Sequence, residues 1–190
     1  MAFGAPLFKM YFRAEVRDID RIPAGGALVV SNHSGGPATL DVPVLWTKFF
    51  ETFGYDRPIY TLGLDLLFSG PLAGVMRQLG MIRASRENAI AALRSGAVVV
   101  VFPGGGHDAM RPTSQQAVID FCGRTGYVTT AIDAGAPIVP VVSIGGQETQ
   151  LFLSRGTWVA KRLGIAKRIT RVEQFPVSFG FPFGMNVGML

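Results

Sequence analysis

Four consecutive valines, Val98–Val101, constrain the fold of this chain more than any other feature of its sequence. They lie inside Ala97–Phe102, an uncharged run that is followed by Pro103 and three glycines. Because valine is β-branched and no polar residue interrupts the run, it predicts a strand that is buried on both faces. Such strands occur in parallel sheets covered by helices on both sides, so the run favours an α/β fold.

The rest of the chain supplies the alternating strands and helices that such a sheet needs. Further strands are predicted at Tyr11–Arg17, Ala27–Ser31, Pro58–Leu62, Gly80–Ala84 and Ile138–Ile144. Helices are predicted at Asp41–Phe53, Leu64–Leu79 with a break near Gly70, Arg86–Arg94, Ser114–Cys122 and Tyr127–Ala134. The 190 residues suffice for one core. We therefore expect 1–190 to form a single α/β domain, with a largely parallel mixed sheet flanked by helices.

Three of the predicted strands end in glycine-rich or polar loops, which are Asn32–Gly36, Pro103–His107 and Gly145–Glu148. The carboxyl ends of the strands of a parallel α/β sheet line the ligand crevice. We therefore expect these three loops to form one site.

His33 is the strongest candidate for a catalytic group, because it follows a predicted buried strand and precedes two glycines. Imidazole titrates near neutrality and is suited to general-base chemistry. Asp41, at the start of the next helix, is able to bond one ring nitrogen and leave the other to accept a proton. Two alternatives stay open: a structural role for His33, and simple N-terminal capping by Asp41.

Several other chemistries lack support in the sequence. There is no Gly-x-Ser-x-Gly motif, and the lone cysteine, Cys122, lies in a predicted helix. Two histidines and one cysteine give no usual metal-ligand spacing, so we expect neither a metal nor a bound cofactor. His107 and Asp108 are neighbours in sequence and need not converge, which favours a peripheral role for both.

Four short blocks occur in a fixed order between Tyr11 and Gln150. They are Ser31–Pro43, in which seven residues separate His33 from Asp41, then Gly80–Arg86, Phe102–Gly105 and Pro137–Val141. Together they resemble the blocks of the PlsC-type glycerolipid and lysophospholipid acyltransferase family. In that family the blocks are a histidine and an aspartate with four residues between them, a glycine with apolar residues and an arginine, Phe-Pro-Glu-Gly, and an apolar strand with two prolines.

The resemblance implies a glycerol-3-phosphate acyltransferase-like fold and an O-acyl transfer. His33 would act as general base and Asp41 would orient it, with acyl-CoA or acyl carrier protein as the donor and a lipid as the acceptor. Arg86, with Arg83 as second choice, would hold a phosphate group; the alternative is a surface residue that opens a helix. Gly104, Gly105 and Gly106 would present backbone amides to an anion, or else form a tight turn.

Two departures from the family pattern bear on the acceptor. Gly104 stands where the family has a glutamate, and the Pro-Gly-Gly form resembles the diacylglycerol and monoacylglycerol acyltransferase branch. The segment Gly145–Glu148 is similar to that branch as well, which adds Glu148 to the candidate substrate-binding residues. We therefore expect a lysophospholipid or a partial glyceride as the acceptor. Family members usually extend further at both ends, so we expect a domain that is short at one or both ends.

The charge distribution suggests an anionic membrane surface as a partner. The formal net charge is +5. Six basic residues and no acidic one lie between Arg155 and Arg171, interleaved with Trp158 and aliphatic residues. This mixture suits a phospholipid surface, although a solvated helix packed on the domain would also explain it. Nucleic acid is not expected, because no reading module is recognised. With no convincing spanning segment and one cysteine, we expect a peripheral location on the cytoplasmic face of a membrane.

Two rival functions stay open at this point. The same His33–Asp41 pair would also serve a thioesterase or lipid hydrolase that activates water. Alternatively, the chain would be a non-enzymatic lipid-binding protein that keeps the fold.

Overall fold

The computed structural model describes residues 12–36, 40–71, 73–158, 162, 177–180 and 184–187. Contacts divide the chain into two compact units. The first unit takes its described residues from Met1–Val30, Val42–Val101 and Thr125–Val141, and the second from Ser31–Asp41, Phe102–Arg124 and Val142–Leu190. The single domain expected over 1–190 stays a prediction.

The first unit is organised by a five-stranded sheet in the order β3-β2-β4-β1-β5. Its strands are β1 (Ala27–Ser31), β2 (Ile59–Gly63), β3 (Met81–Arg83), β4 (Val98–Val101) and β5 (Ile138–Val141). The pairs β1–β4, β2–β4 and β2–β3 are parallel. The predicted α/β class, with a parallel sheet and flanking helices, is therefore confirmed.

The valine strand β4 lies between β1 and β2, as its composition predicts. Val98, Val99 and Val100 are completely buried, and Val98 pairs with Ala27 on one side and Ile59 on the other. Removing a valine side chain from water contributes about 1.5–3 kcal/mol. The β4 strand is therefore a main source of stability for this unit.

Two helices of this sheet begin and end where their local signals predict. Helix α1 (Asp41–Phe53) buries Val42, Leu45, Trp46 and Phe49, which share one face at helical spacing. Gly54, at φ +75, follows its last residue. Helix α3 (Arg86–Arg94) begins after Ser85, whose hydroxyl accepts a hydrogen bond from the backbone N–H of Asn88.

The break predicted near Gly70 in Leu64–Leu79 is present, between a 3₁₀ turn at Asp65–Phe68 and helix α2 (Ala73–Gln78). Two other predicted elements are not formed as expected. The described residues 12–17 of the strand predicted at Tyr11–Arg17 form no strand. Ser114–Cys122 has only a 3₁₀ turn at Thr113–Gln115. Asp120 Oδ1 accepts the backbone N–H of Cys122, whose φ is +56, and this local bond competes with a helix.

The second unit contains helix α4 (Gly105–Ala109) and a three-stranded antiparallel sheet in the order β6-β7-β8. The strands are β6 (Gln150–Ser154), β7 (Val177–Gly180) and β8 (Gly184–Val187), none of which the sequence predicts. Helix α5 (Gly126–Ala134), in the first unit, confirms the helix predicted at Tyr127–Ala134. No helix in the described part of the chain is both long and apolar enough to cross a membrane.

Candidate active site

The loops that follow β1, β4 and β5 along the chain contact one another within the second unit. The Asn32 amide exchanges two hydrogen bonds with the backbone of Ser143, at 2.9 Å from Nδ2 to the carbonyl and 2.7 Å from the N–H to Oδ1. The backbone N–H of Gly35 donates to Gln147 Oε1 at 3.4 Å. The N–H of His33 donates to Asp108 Oδ2 at 2.5 Å. The three loops therefore lie together, as predicted, and their joint role as one site stays a prediction.

The His33 ring and the Asp41 carboxylate form a direct contact. His33 Nδ1 lies 2.8 Å from Asp41 Oδ2, and the side chains are 14% and 6% exposed. The same carboxylate oxygen accepts the backbone N–H of Ser34 at 3.0 Å. The seven-residue spacing therefore still returns Asp41 to His33. A proton on Nδ1, donated to Asp41, leaves Nε2 as the basic nitrogen of the neutral ring.

Phe102 fixes the plane of the same imidazole. Its ring stacks on His33 with the centroids 4.2 Å apart and an angle of 25° between the planes. Phe102 follows β4 directly and opens the Phe-Pro-Gly-Gly block. The sequence marked that block but gave no indication that its aromatic ring contacts the histidine.

Asp108 and Arg111 hold the backbone of His33. Arg111 Nη1 donates to the His33 carbonyl at 2.8 Å and pairs with Asp108 Oδ1 at 3.0 Å. Burial raises the pKa of Asp108, and the His33 N–H bond and the Arg111 charge partly oppose that rise. The peripheral role expected for Asp108 is therefore wrong, because its carboxylate folds back onto a loop 75 residues earlier in the chain.

Gly104 is a glycine because Asp108 occupies the space beside it. A Cβ at position 104 would lie 2.3 Å from the Cβ of Asp108, far closer than two carbon atoms approach. The backbone of Gly104 is ordinary, with φ −67, so space rather than conformation requires the glycine. Arg124 Nη1 bonds the Gly104 carbonyl at 2.8 Å.

Gly105 and Gly106 belong to the short helix α4 instead of an open loop. The N–H of Gly105 donates to the Phe102 carbonyl at 3.0 Å, as in a tight turn. Anion binding by the amides of Gly104, Gly105 and Gly106 stays a prediction.

Gly36 allows the His33 loop to approach the antiparallel sheet of this unit. It has φ +61, and a Cβ there would lie 2.5 Å from Cζ of Phe152. Phe152 is buried in a small cluster with Ala109 and Met110. A glycine is therefore needed at position 36 for both conformation and space.

The predicted phosphate-binding arginines lie in the first unit. Arg86 is the first residue of α3 and forms an ion pair with Asp133 at a half-exposed position. Arg83 ends β3 and is exposed. The placement of Arg86 agrees with the alternative of a helix-opening residue. Phosphate binding by either arginine stays a prediction.

Glu148 lies in a 3₁₀ turn, Gly146–Thr149, and its side chain is exposed. Its neighbour Gln147 is buried and joins the network around His33, since Gln147 Nε2 donates to the Arg111 carbonyl at 2.7 Å. The sequence singled out this segment but gave no indication that Gln147 contacts the other loops. Substrate binding by Glu148 stays a prediction.

Three potential metal ligands come together in the second unit, although their spacing in the sequence gave no sign of it. Donor atoms of His107, Asp120 and Cys122 lie within 4.8 Å of one another. His107 Nε2 is 3.2 Å from Asp120 Oδ2. The bond from the Cys122 N–H, together with His107, lowers the pKa of Asp120. Three mixed donors are one fewer than a structural zinc site uses, and we assign this group no role in acyl transfer.

Comparison with known families identifies the class of protein to which this fold and site belong. The family model described as Acyltransferase matches residues 13–144, which contain every partner of His33 named above. The chain therefore belongs to the acyltransferase family. This confirms the resemblance drawn from the four sequence blocks.

Individual relatives extend the comparison. An uncharacterized protein of Mycobacterium tuberculosis (strain ATCC 25618 / H37Rv) is 31% identical over 96% of this chain and 49% of its own length. One from Mycobacterium leprae (strain TN) is 30% identical over 96% of this chain and 48% of its own length. A mouse protein named DGAT1/2-independent enzyme synthesizing storage lipids is 27% identical over 67% of this chain and 37% of its own length.

The chain thus spans about half the length of the curated mycobacterial relatives it matches. The name of the mouse relative is consistent with the diacylglycerol acyltransferase branch indicated by the sequence. No solved structure gives a significant match.

Proposed function

We propose that this protein is an O-acyltransferase that moves a fatty acyl group from a thioester donor to a hydroxyl of a lysophospholipid or partial glyceride. The observation that carries the proposal is the 2.8 Å contact between His33 Nδ1 and Asp41 Oδ2. Membership of the acyltransferase family supports the reaction type. The name of the mouse relative supports a lipid acceptor.

In the proposed mechanism His33 is the general base. Its Nε2 takes the proton of the acceptor hydroxyl as the oxygen attacks the thioester carbonyl, and Asp41 stabilises the imidazolium that forms. The new carbon–oxygen bond forms and the carbon–sulfur bond breaks. The imidazolium then returns the proton to the departing thiolate of coenzyme A or acyl carrier protein. Phe102 and Asp41 keep the ring in one orientation throughout.

We assign the donor or acceptor phosphate to Arg86, with Arg83 second. The Arg86–Asp133 pair is about half exposed, so a phosphate is able to replace the carboxylate as its partner at little cost. We further propose that the protein lies peripherally on the cytoplasmic face of an anionic membrane. Exposed Trp158 and Arg162 support this surface; most of the remaining 155–171 segment falls outside the described residues.

The decisive experiment measures release of free thiol from palmitoyl-coenzyme A, with and without a panel of lipid hydroxyl acceptors. The wild type should release thiol only with a suitable acceptor, and a matching acylated product should appear. His33→Ala should lower the rate by about 10²–10⁴-fold, because general-base catalysis supplies about that factor. The control is His107→Ala, which removes the other histidine and should retain the wild-type rate.

The other possible outcomes identify the rival functions. Thiol release at the same rate without acceptor, abolished by His33→Ala, would show that the pair activates water as in a thioesterase. A wild-type rate that does not change in His33→Ala would overturn the proposed mechanism and favour a non-enzymatic lipid-binding role.

A further inference from the structure

One buried ion pair holds both polar groups of the His33 backbone. The N–H donates to Asp108 Oδ2 at 2.5 Å, and the carbonyl accepts from Arg111 Nη1 at 2.8 Å. Asp108 and Arg111 are joined at 3.0 Å, and their side chains are 1% and 4% exposed. Neither forms a described hydrogen bond with the imidazole ring, whose described partners are Asp41 and Phe102, although the charge of His33 acts on Asp108.

We infer that Asp108 and Arg111 are positioning residues, which fix the backbone of His33 so that its ring meets Asp41 in the geometry needed for proton transfer. This inference rests on the proposed function of His33. It assigns a task in the reaction to two residues that have no described hydrogen bond to the ring and, in the proposed mechanism, do not touch the reacting atoms.

The wider network supports positioning rather than general stabilisation. Gln147 bonds the Arg111 carbonyl at 2.7 Å and, through its amide oxygen, the N–H of Gly35. The backbone is thus held on both sides of Ser34, whose own N–H bonds Asp41. These bonds hold the backbone of His33, Ser34 and Gly35, which determines where the His33 ring lies.

The physical chemistry of a buried ion pair points the same way. The desolvation of both charges costs nearly as much free energy as their attraction contributes. The pair is therefore expected to add little to the free energy of unfolding. A catalytic group displaced by about 1 Å loses about 100-fold in rate. A rigid ion pair that holds the N–H and carbonyl of a single residue prevents that displacement.

The first test is Asp108→Asn, which keeps an acceptor for the His33 N–H but removes the charge that orients Arg111. We expect kcat for acyl transfer from palmitoyl-coenzyme A to fall by about 100-fold while KM for the thioester changes little. The matched control is Asp120→Asn, another carboxylate between β4 and α5, which has no described contact with His33 and should keep the wild-type kcat.

The same substitution made in the His33→Ala protein separates positioning from a general structural effect. If Asp108 acts only through His33, adding Asp108→Asn to His33→Ala should lower the residual rate no further. An equal loss in both backgrounds would overturn the inference.

Breaking a buried pair leaves one charge without a partner, so Asp108→Asn is able to unfold the protein. The double variant Asp108→Leu/Arg111→Met avoids this by removing both charges together. It should fold, as judged by circular dichroism, and should show the same loss of kcat. A folded double variant with wild-type kcat would contradict the inference.

A readout independent of turnover is the proton NMR signal of the His33 Nδ1–H, identified by its absence in His33→Ala. It should be present in wild type and Asp120→Asn, and lost in Asp108→Asn and in the double variant. An unchanged signal in both of these overturns the positioning role. Full activity in His33→Ala would instead overturn the proposed function, and the NMR comparison would still decide whether Asp108 and Arg111 hold the ring.

Discussion

At the scale of single residues, His33 is held by two sets of partners with different tasks. Asp41 and Phe102 contact the ring, whereas Asp108 and Arg111 contact the backbone. In the first set, Asp41 could be predicted from the sequence, because it follows His33 by eight residues and suits an orienting role. The ring contact of Phe102 could not. The second set could not be predicted, because the bond between His33 and Asp108 joins residues 75 positions apart.

The raised pKa of Asp108 predicts an unusual dependence of stability on pH. Its pKa lies above the usual 3.8 chiefly because of burial, so the folded state binds this proton more tightly than the unfolded state. The contribution of Asp108 to the free energy of unfolding is therefore fully present below pH 3.8, and it is lost as the pH rises through the raised pKa. The difference in unfolding free energy between wild type and Asp108→Asn should fall across that window and then become level.

Urea unfolding at a series of pH values checks this expectation. Asp120→Asn serves as a control of opposite sign, because the pKa of Asp120 is lowered, mainly by the Cys122 N–H bond. The difference in unfolding free energy between wild type and Asp120→Asn should shrink as the pH falls. If attraction to Arg111 outweighed burial at Asp108, the Asp108→Asn difference would instead grow with pH.

The close approach at Gly104 predicts a large effect from a small substitution. Gly104→Ala places a methyl group 2.3 Å from the Asp108 Cβ, so the backbone or Asp108 must move. We expect a loss of about 1–3 kcal/mol in the free energy of unfolding, as for other overpacked sites. Gly74→Ala is the matched control, since nothing lies within 4 Å of its Cβ position in helix α2.

Chemical denaturation of both glycine variants measures this difference. Gly74→Ala should be neutral or stabilise the protein by at most about 0.5–1 kcal/mol, because alanine loses less backbone freedom than glycine on folding, and Gly74 lies in the first turn of α2. Equal stabilities of Gly104→Ala and wild type would show that Asp108 moves aside without cost.

At the scale of elements, local sequence signals predicted the bounds of two helices correctly, whereas the pairing of distant strands was not predicted. Helices α1 and α3 match their predicted bounds, because the residues that start and stop them are adjacent in sequence. The antiparallel sheet was missed, because Leu151 of β6 pairs with Phe179 of β7. That pairing joins residues more than twenty positions apart, so no local sequence pattern predicts it.

The cap of helix α3 allows a test at this scale. Ser85→Ala removes the hydroxyl that accepts the Asn88 N–H, and an N-cap of this kind contributes about 1 kcal/mol. We expect thermal denaturation to show a loss of that size. Ser95→Ala, at the other end of the same helix, removes a bond to the Ala92 carbonyl without touching the N-terminus and should cost less.

At the scale of the whole molecule, charge and exposed apolar surface determine which partners suit the chain. The net charge of +5 would attract it to an anionic bilayer, and Trp158, 66% exposed, offers an aromatic contact for the interface. We expect the protein to sediment with anionic phospholipid vesicles more than with neutral ones. The bound fraction should decline as salt is raised, because the Debye length shortens.

Trp158→Ser should weaken this sedimentation, with Tyr55→Ser as the control. Tyr55 is also exposed but lies in the first unit, away in sequence from the basic segment. Equal binding to neutral and anionic vesicles, unaffected by salt, would argue against an electrostatic membrane surface.

The contact between positions 104 and 108 also limits how this site is able to change. A larger residue at position 104, such as the glutamate of the family pattern, would place its Cβ 2.3 Å from the Asp108 Cβ. Replacing Asp108 does not remove this contact, because every residue except glycine carries a Cβ. A larger residue at position 104 is therefore expected to be tolerated only where the backbone between the two positions has shifted, so glycine should persist there whichever side chain stands at position 108.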